Sequence, residues 1–259
     1  MNMEALAALL DFSQPGFVGL VLVLMRVGAV SALLPGFGEQ SIPMRVRLLV
    51  TLAFTAIVWP VVAGQMPQSV SVAQMPGLMV TEAAVGLLIG ISIRLLVLAL
   101  QLAGSIAAQS TSVTQIAGAG VTPDPMPAVG NLLVMTGLAL VLATGLHVKA
   151  ALAMIESYRI VPAGLLPAGS DVAEWGVARV SSAFALAFTL SGPFLVASFA
   201  YNLGLGAINR AMPTLLVAFV GAPLITGVAI LLLALGAPVM LLVWNGQMDA
   251  VLGNPLGLP

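Results

Sequence analysis

Among the titratable side chains inside long apolar segments of the sequence, where a charge is costly, are Arg26, Glu82, Arg94 and His147. Within a membrane, such residues form structural ion pairs, subunit contacts, or paths for protons and ions. For His147, a proton relay would require a chain of titratable groups, and none is evident in the sequence. We therefore interpret them first as residues that pair and pack, with a subunit contact or a conduction path as the alternative for Arg26.

The cost of Arg26 decides whether its segment can enter a membrane. Arg26 lies near the middle of the apolar segment 17–34. A central arginine costs about 2.5–3.5 kcal/mol on insertion, which several flanking Leu and Val residues can offset at about 0.3–0.6 kcal/mol each. The segment can therefore insert, although its charge still requires a partner.

Glu82 and Arg94 share one apolar segment, yet they cannot pair with each other on a straight helix. Twelve residues separate them, which is about 18 Å along a helix axis and about a third of a turn off the same face. Each therefore requires another element or another chain. We find no evident partner in the sequence for these charges and interpret them as a sign of a larger assembly.

Catalytic and metal-binding motifs do not emerge from the sequence. One histidine without any cysteine or a nearby acidic pair does not make a metal site. His147 is better explained by core packing or by an interfacial hydrogen bond. There is also no Gly-Lys phosphate loop, no H-E-x-x-H and no G-x-S-x-G sequence. We therefore predict that the chain is not an enzyme and uses no metal or cofactor.

The composition predicts a polytopic, all-α membrane protein with broken helices and hairpins. Hydrophobic residues make up 60% of the 259 residues and charged residues only 7%, whereas soluble domains are usually about 25% charged. About 20 apolar residues span a bilayer core, and the segment 48–63 is short for that. Six apolar segments stand out, at 17–34, 48–63, 78–100, 129–155, 180–208 and 214–244.

Prolines within two of these segments predict interruptions of the helices. Pro193 falls in the fifth segment, and Pro223 and Pro238 fall in the sixth. Because proline lacks a backbone donor and clashes with the preceding turn, we expect broken helices or tight hairpins there.

Two connections carry further predictions: a long loop at 101–128 and a short turn, NRAMP, at 209–213. In this turn Asn209 can cap, Arg210 can bond helix-end carbonyls, and Pro213 stops the helix; an ordinary loop is the alternative.

The interval 104–122 within the long loop is too polar for lipid and too uncharged for a typical solvated loop. Its small residues allow close packing, and irregular backbone at membrane depth is tolerated where it lines a cavity or is buried in protein. A surface connector is the alternative. The polar residues that carry this prediction are Gln109, Ser110, Thr111, Ser112, Thr114 and Gln115, joined by Met126 as a flexible thioether between two prolines.

Several stretches, in order over nearly the whole chain, resemble the FliR family, called SctT in injectisomes. RVGAVSALLPGFGEQSIPMRVRLLVTLAFTAIVWP (26–60) is similar to the N-terminal signature of that family. TEAAVGLLIG (81–90) and QLAGSIAAQS (101–110) resemble its Glu-led helix and following AG loop. GLHVKAALAMIES (145–157) resembles its small-residue–His segment. NLGLGAINRAMP (202–213), followed by GAP (221–223), is similar to its late Asn-Arg-x-x-Pro signature.

The sequence departs from the family pattern at three places. Thr214, Leu215 and Leu216 stand where the family has a Gln-x-Asn sequence, and leucine cannot make the hydrogen bonds of asparagine. Arg94 replaces a small or apolar residue. Ser110 and Ser112 replace a Met-Gly pattern in the loop. These departures affect individual contacts of the late turn and the loop.

The resemblance implies a structural subunit of the flagellar type III protein export gate, in the bacterial inner membrane at the flagellar basal body. Its expected partners are FliP and FliQ, with FlhB and FlhA beside them, and unfolded polypeptides as cargo. It implies one domain over 1–259, a luminal plug at 104–122 and a C-terminal hairpin region at 180–245. The predicted structural and interface residues are Arg26, Pro43, Arg47, Glu82, Arg94, His147, Asn209, Arg210, Pro213 and Pro223.

Two other functions remain open from the residues. The homologous SctT subunit of a virulence injectisome would share the same signatures. A small-solute transporter also uses broken helices near the membrane midplane, but it is expected to have an inverted repeat and a clustered polar site. Neither feature is evident in the sequence. Nucleic-acid binding is not expected either, because the net charge is −1.

Overall fold

The computed structural model describes residues 15–39, 41–67, 70–71, 73–110, 128–211 and 217–257. Within these ranges the chain is helical and contains no strand, which confirms the predicted all-α fold. The α-helices are α1 (Pro15–Leu33), α2 (Met44–Val62), α3 (Met75–Ser110), α4 (Ala128–Ala143), α5 (Leu146–Ile160), α6 (Gly169–Ala211) and α7 (Val217–Gly253).

Five of these helices are long and apolar enough to cross a membrane, and α4 with α5 makes a sixth candidate if the bent pair is one span. The expectation that the segment 48–63 is short for a span is wrong. α2 begins at Met44 and continues into a 3₁₀ turn, Ala63–Gln65, so that Met44–Gln65 contains 22 residues. The apolar pattern underestimated its length because Arg45 and Arg47 lie within its first turn.

The helices are not interrupted at the prolines, contrary to the prediction. α6 continues through Pro193, and the helix Val217–Gly253 includes positions 223 and 238. Each proline removes one backbone donor, and the flanking turns of a long helix keep their own hydrogen bonds. The tolerance of proline in long apolar helices accounts for this outcome.

The broken helix lies instead between α4 and α5, where the chain bends by 74°. Gly145 occupies the N-cap of α5 with φ +84°, in the left-handed region. A residue with a side chain would be strained in this conformation, so glycine permits the bend. A broken helix pair was predicted, and its position was not.

The chain divides into two compact units. The first contains residues 1–94, 145–178 and 249–259. In this unit α1 packs against α2, and a side-chain Cβ placed on Gly86 of α3 would overlap the carbonyl oxygen of Arg26 in α1. α5 is tied to the C-terminal residues by Lys149, whose Nζ lies 2.7 Å from Asp249 Oδ1.

The second unit contains residues 95–144 and 179–248. Among its described residues, the largest fully buried side chain is that of Trp244 in α7, which is 0% exposed and donates from Nε1 to the carbonyl oxygen of Leu96, 2.7 Å away in α3. α3 and α4 approach closely where Gly104 faces the backbone of Gly130. These contacts hold α3, α4 and α7 together in this unit.

Part of the predicted loop and part of the predicted turn are helical. α3 continues to Ser110, so residues 101–110 are helical, and residues 111–127 lie outside the described part of the chain. Ser198 Oγ of α6 donates to the Ser110 carbonyl oxygen at 2.6 Å, which helps to hold this helix end. α6 similarly continues through positions 209–211, whereas 212–216 are not described.

Candidate functional site

A fully buried ion pair joins two helices of the first unit. Arg26 of α1 and Glu82 of α3 are both 0% exposed. Arg26 Nε lies 2.8 Å from Glu82 Oε2, and Arg26 Nη2 lies 3.2 Å from Glu82 Oε1. This two-point contact is the bidentate geometry that makes arginine–carboxylate pairs strong and directional.

Glu82 receives four hydrogen bonds. Besides the two from Arg26, the hydroxyl of Tyr158 in α5 donates to Oε2 at 3.2 Å. The backbone N–H of Gly164, in the connection after α5, donates to Oε1 at 2.8 Å. A carboxylate offers about four acceptor positions, so Glu82 has no acceptor position left for another ligand.

Arg26 uses four donor contacts of its guanidinium group. Nη1 donates to Ser157 Oγ at 3.3 Å and to the carbonyl oxygen of Val161 at 3.0 Å. The guanidinium carbon lies 3.8 Å from the centre of the Tyr158 ring, a cation–π contact. A buried charge is stable only when it is paired and hydrogen-bonded, and both charges here meet that condition.

We call Arg26, Glu82, Ser157 and Tyr158 the buried cluster. Two glycines allow it to form. Gly86 lies one helical turn after Glu82 and lets the backbone of α1 come close enough for Arg26 to reach the carboxylate. Gly164 has φ +80° and so turns its N–H toward Glu82. The buried cluster thus holds α1, α3, α5 and the connection after α5 in fixed positions.

The pairing corrects one inference from the sequence. Arg26 and Glu82 were interpreted as charges without an evident partner in the chain, and each has its partner 56 residues away. Arg94 pairs with Glu39, with side chains 32% and 28% exposed. Glu82 and Arg94 do not pair with each other, as their spacing predicted. These charges therefore supply no argument for a larger assembly.

The other predicted residues lie apart from the buried cluster. His147 is exposed, so core packing within this chain is wrong for it, and an interfacial role stays a prediction. Pro43 occupies the N-cap of α2, and Arg47 Nε donates to the Ile42 carbonyl oxygen at 3.1 Å. Gln109 is exposed near the end of α3, and Arg210 is exposed near the end of α6.

Several predictions fall outside the described part of the chain. They concern the candidate plug residues Thr111, Ser112, Thr114, Gln115 and Met126, the turn residue Pro213, and the side chains of Asn209 and Pro223. Their roles remain predictions. Ser110 is described at the end of α3, where its hydroxyl donates to the Ala107 carbonyl oxygen at 3.0 Å.

The sequence reasoning missed Ser157, Tyr158, Gly86 and Gly164. Two signals could have indicated three of these residues. Gly86 and Gly90 form a G-x-x-x-G spacing, which lets membrane helices approach closely. Ser157 and Tyr158 are adjacent polar residues at the end of an apolar helix, where a buried partner is a reasonable inference.

Besides the buried cluster, the described residues line a cavity in the first unit and another in the second. The cavity of the first unit, about 620 Å³, lies beside the connection from α5 to α6 and includes Asp171, Glu174 and Trp175. The cavity of the second unit, about 460 Å³, is almost wholly apolar and lies between α6 and α7, near Pro193 and Gly236. No group of three or more potential metal ligands occurs among the residues described.

Comparison with known proteins gives a consistent match. The family described as bacterial export proteins, family 1, matches residues 17–251. The flagellar biosynthetic protein FliR of Caulobacter vibrioides is 34% identical over 230 residues, covering 87% of this chain and 91% of that protein. FliR of Bacillus subtilis is 25% identical, covering 84% and 85%, and FliR of Escherichia coli K12 is 26% identical, covering 84% and 83%.

Proposed function

The chain belongs to family 1 of the bacterial export proteins, and from this premise we propose that it forms the export pore of the flagellar type III system with FliP and FliQ homologues. One observation carries the proposal: the family match spans residues 17–251, and the match to C. vibrioides FliR covers 87% of the chain. The chain is thus a component of the flagellar protein export machinery.

The geometry supports a structural role in this machinery. The buried site around Arg26 and Glu82 has every carboxylate acceptor position filled from within the chain. Such a site holds helices in place and leaves no group free for a substrate. We therefore propose that the chain acts as a structural pore subunit and carries out no chemical step of its own.

The helix surfaces support partners of apolar character. α2 exposes Met44, Leu49 and Val61 by 71%, 65% and 57%. α6 exposes Val196 and Phe199 by 69% and 67%. Side chains of this kind must meet lipid or another apolar protein surface. We propose that FliP and FliQ homologues cover part of these faces, with FlhB and FlhA homologues beside them.

The apolar helices make the chain a multi-pass membrane protein by length and composition. We propose that it resides in the bacterial inner membrane, within the flagellar basal body, as one domain over 1–259. The C-terminal hairpin region at 180–245 corresponds to most of α6 and α7, which line a common cavity. The interval 104–122 is proposed as the plug of the closed pore, with its first seven residues at the end of α3.

Purification of the assembly tests the proposal. We expect the tagged chain, expressed from its own promoter and extracted in mild detergent, to elute as a large complex with FliP and FliQ homologues. We also expect deletion of its gene to abolish flagellin secretion and motility, and reintroduction to restore both. A monomer or dimer that restores neither secretion nor motility would instead favour a small-solute transporter.

The homologous subunit of a virulence injectisome is the second candidate. All three relatives reported above carry flagellar names, which favours the flagellar system. The deletion strain separates the two, because loss of effector secretion with intact motility would assign the chain to an injectisome.

The plug has a separate test. Shortening the loop by removing residues 111–122, with α3 and α4 kept, is expected to make the assembled pore leak small ions and solutes. The reason is that an irregular segment at membrane depth is tolerated where it lines a cavity or is buried in protein. Removing a segment that fills the pore is therefore expected to open it. An assembled complex that stays tight to ions after this deletion would identify the interval as a connector.

A further inference from the structure

The cavity of the second unit has a closed floor and an open rim. We call this cavity, of about 460 Å³ between α6 and α7, the apolar groove. Its floor contains Leu190 and Phe194 of α6 and Met240 of α7, which are 4%, 2% and 6% exposed. Its rim contains Leu235 and Val239 of α7, which are 69% and 61% exposed. A molecule outside the two helices can therefore enter the groove from the side of α7.

A glycine in the wall keeps the apolar groove unfilled. Gly236 lines the groove, and a Cβ placed on it would have no atom within 4 Å. A larger side chain at this position would occupy that open space. The walls of an unfilled apolar space forgo dispersion contacts, so an apolar occupant that fits the groove is favoured.

The apolar groove lies deep within the charge-free part of both helices. α6 carries no Asp, Glu, Lys or Arg from 180 to 209, and α7 carries none from 217 to 248. Both helices are long and apolar enough to cross a membrane. Leu190 follows Arg179 by 11 residues, which is about 16 Å along a helix, and half of a hydrocarbon core is about 15 Å thick. With Arg179 at the membrane surface, the groove lies at the depth of the acyl chains of one leaflet.

Arg179 stands on the face of α6 that lines the apolar groove. The 11 residues to Leu190 amount to three helical turns and about 20° more, and the buried Ala183 and Leu186 lie in the same row between them. Arg179 is half-buried and interacts within the chain. Its guanidinium group carries five N–H donors, so it can serve a phosphate as well. Glu174 of the same helix lies about 140° around the axis from Arg179.

The apolar groove and Arg179 together select one class of occupant. A helix of a partner protein is about 10–12 Å across with its side chains, so it would cover the groove and fill it only with single side chains. One acyl chain is narrow enough to lie lengthwise between the helices, and small-molecule sites have volumes of about 300–1,000 Å³. A phosphate at Arg179 and an acyl chain at Leu190 belong to one kind of molecule, a phospholipid.

We propose that the apolar groove binds one acyl chain of an anionic phospholipid whose phosphate contacts Arg179. Bulk lipid is as apolar as the groove, so specificity comes from the charge contact and from the fit of one chain against the closed floor. A zwitterionic headgroup neutralises its own phosphate, whereas an anionic headgroup keeps its charge for Arg179. The bound chain fills the space between α6 and α7. The proposal rests on the membrane placement of these helices and does not depend on the export function.

Photolabelling in lipid nanodiscs tests the proposal. The full-length chain, in the assembly in which it elutes, is placed in phosphatidylcholine nanodiscs with a trace of phosphatidylglycerol that carries a diazirine halfway along one acyl chain. Mass spectrometry is expected to find severalfold more label on Leu190, Phe194 and Met240 than on Val196. Val196 is 69% exposed and lies on another face of α6, so it reports contact with passing lipid.

Two glycine variants separate filling of the apolar groove from a general change in α7. Gly236→Leu places a side chain in the open space and is expected to lower the label on Leu190 and Phe194 at least fivefold, with the label on Val196 unchanged. Gly227→Leu is the matched control, because a Cβ there also meets nothing within 4 Å and Gly227 does not line the groove. Both variants change helix propensity equally. The amount of chain recovered is measured for each.

The headgroup contact has a test that needs no change in the groove itself. Replacing part of the phosphatidylcholine by unlabelled phosphatidylglycerol is expected to displace the label from Leu190 and to leave the label on Val196 unchanged. Arg179→Gln is expected to weaken this displacement roughly two- to fivefold, as for the loss of one partly exposed charge contact. The wild-type displacement decides the question even where Gly236→Leu does not fold.

Four results would overturn the proposal. They are a groove label no stronger than that on Val196, a groove label that unlabelled phosphatidylglycerol does not displace, equal losses of label in Gly236→Leu and Gly227→Leu, and a groove label found only on chain that has left its complex. The last result would assign the groove to a partner protein. None of the four bears on the proposed function, which fails only if the chain neither enters an export complex nor restores secretion.

Discussion

Arg26–Glu82 and Arg94–Glu39 are both ion pairs between separate segments of the first unit, but their surroundings differ. Arg26 and Glu82 are 0% exposed, whereas the side chains of Arg94 and Glu39 are 32% and 28% exposed. Glu82 accepts four hydrogen bonds with its carboxylate, whereas the described residues give the Glu39 carboxylate one, from Arg94. The first pair is part of the packing of three helices, and the second is a contact at the edge of the unit.

This difference determines how much each pair contributes to the stability of the folded chain. Removing one partner of a buried pair leaves an uncompensated charge in a medium of low dielectric constant, which costs about 3–5 kcal/mol. A partly exposed pair is screened by its surroundings, and its loss typically costs about 0.2–1 kcal/mol. Distance alone would rank the two pairs as equivalent, so burial and hydrogen-bond count are the quantities that separate them.

The largest effect is expected from Arg26→Leu. The variant removes the cost of inserting arginine but leaves Glu82 buried without its cation, so the folded chain is expected to lose about 3–5 kcal/mol of stability. Denaturant unfolding of the purified chain in detergent measures this loss. Assembly with partner subunits is expected to fall as well, and an unchanged yield of the complex would contradict the prediction.

A double variant distinguishes the missing charge from the lost packing. Arg26→Leu combined with Glu82→Leu removes both charges and is expected to be less destabilised than the sum of the two single variants, because neither charge is left buried alone. Arg159→Leu is the control, since Arg159 is 71% exposed in its pair with Glu156. Its effect is expected to be small.

Gly86→Ala is expected to cause the second-largest loss of stability. The added Cβ would overlap the backbone carbonyl oxygen of Arg26, and backbone cannot move aside as a flexible side chain can. Separation of α1 and α3 is expected to cost about 2–3 kcal/mol. The matched control is Gly77→Ala in the same helix, where nothing lies within 4 Å of the new Cβ. Equal melting temperatures for the two variants would disprove the close approach.

Tyr158→Phe is expected to cause an intermediate loss of stability. The variant removes the hydroxyl that donates to Glu82 Oε2 at 3.2 Å and keeps the ring that lies 3.8 Å from the Arg26 guanidinium carbon. Because Glu82 keeps three donors, the expected loss is about 1.5 kcal/mol. Tyr158→Leu removes the cation–π contact as well and is expected to cost more. The unfolding midpoints of the two variants, compared under one set of conditions, measure this difference.

The smallest effect is expected from Arg94→Gln. The side chain is about a third exposed, so the variant is expected to lose less than about 1 kcal/mol, and the loss is expected to shrink as salt is added. Unfolding at low and high ionic strength tests both statements. A salt-independent loss as large as that of Arg26→Leu would place Arg94 with the buried cluster and remove the contrast between the two pairs.

Much of the fold could be predicted because hydropathy is a local property. Each of the six predicted apolar segments corresponds to one helix or to the α4–α5 pair. The ends were less predictable: the prediction placed a loop at 101–110, where α3 continues, and placed breaks at Pro193, Pro223 and Pro238, where helices continue. A helix end depends on packing as well as on local preference, as at Ser110, whose carbonyl oxygen accepts from Ser198.

The candidate site was predicted only in part. Arg26 and Glu82 were identified because a charge in an apolar segment is costly wherever the segment lies. Their pairing was not identified, because 56 residues separate them and nothing in either segment specifies the other. Tyr158 and Gly164 were missed for the same reason. His147 lies in an equally apolar segment and is exposed, since helix orientation decides which face is buried.

The sequence by itself determined that this is an all-α protein with several membrane-length helices, that Glu82 and Arg94 cannot pair, and that the chain resembles the family to which it belongs. These properties follow from composition, from the rise of a helix per residue, and from the order of short motifs. Only the tertiary structure decided that Arg26 pairs with Glu82, that Tyr158 and Gly164 complete the site, and that Leu190 and Gly236 border one groove. Contacts between residues far apart in the chain depend on how the helices pack, and packing requires the fit of all their surfaces at once.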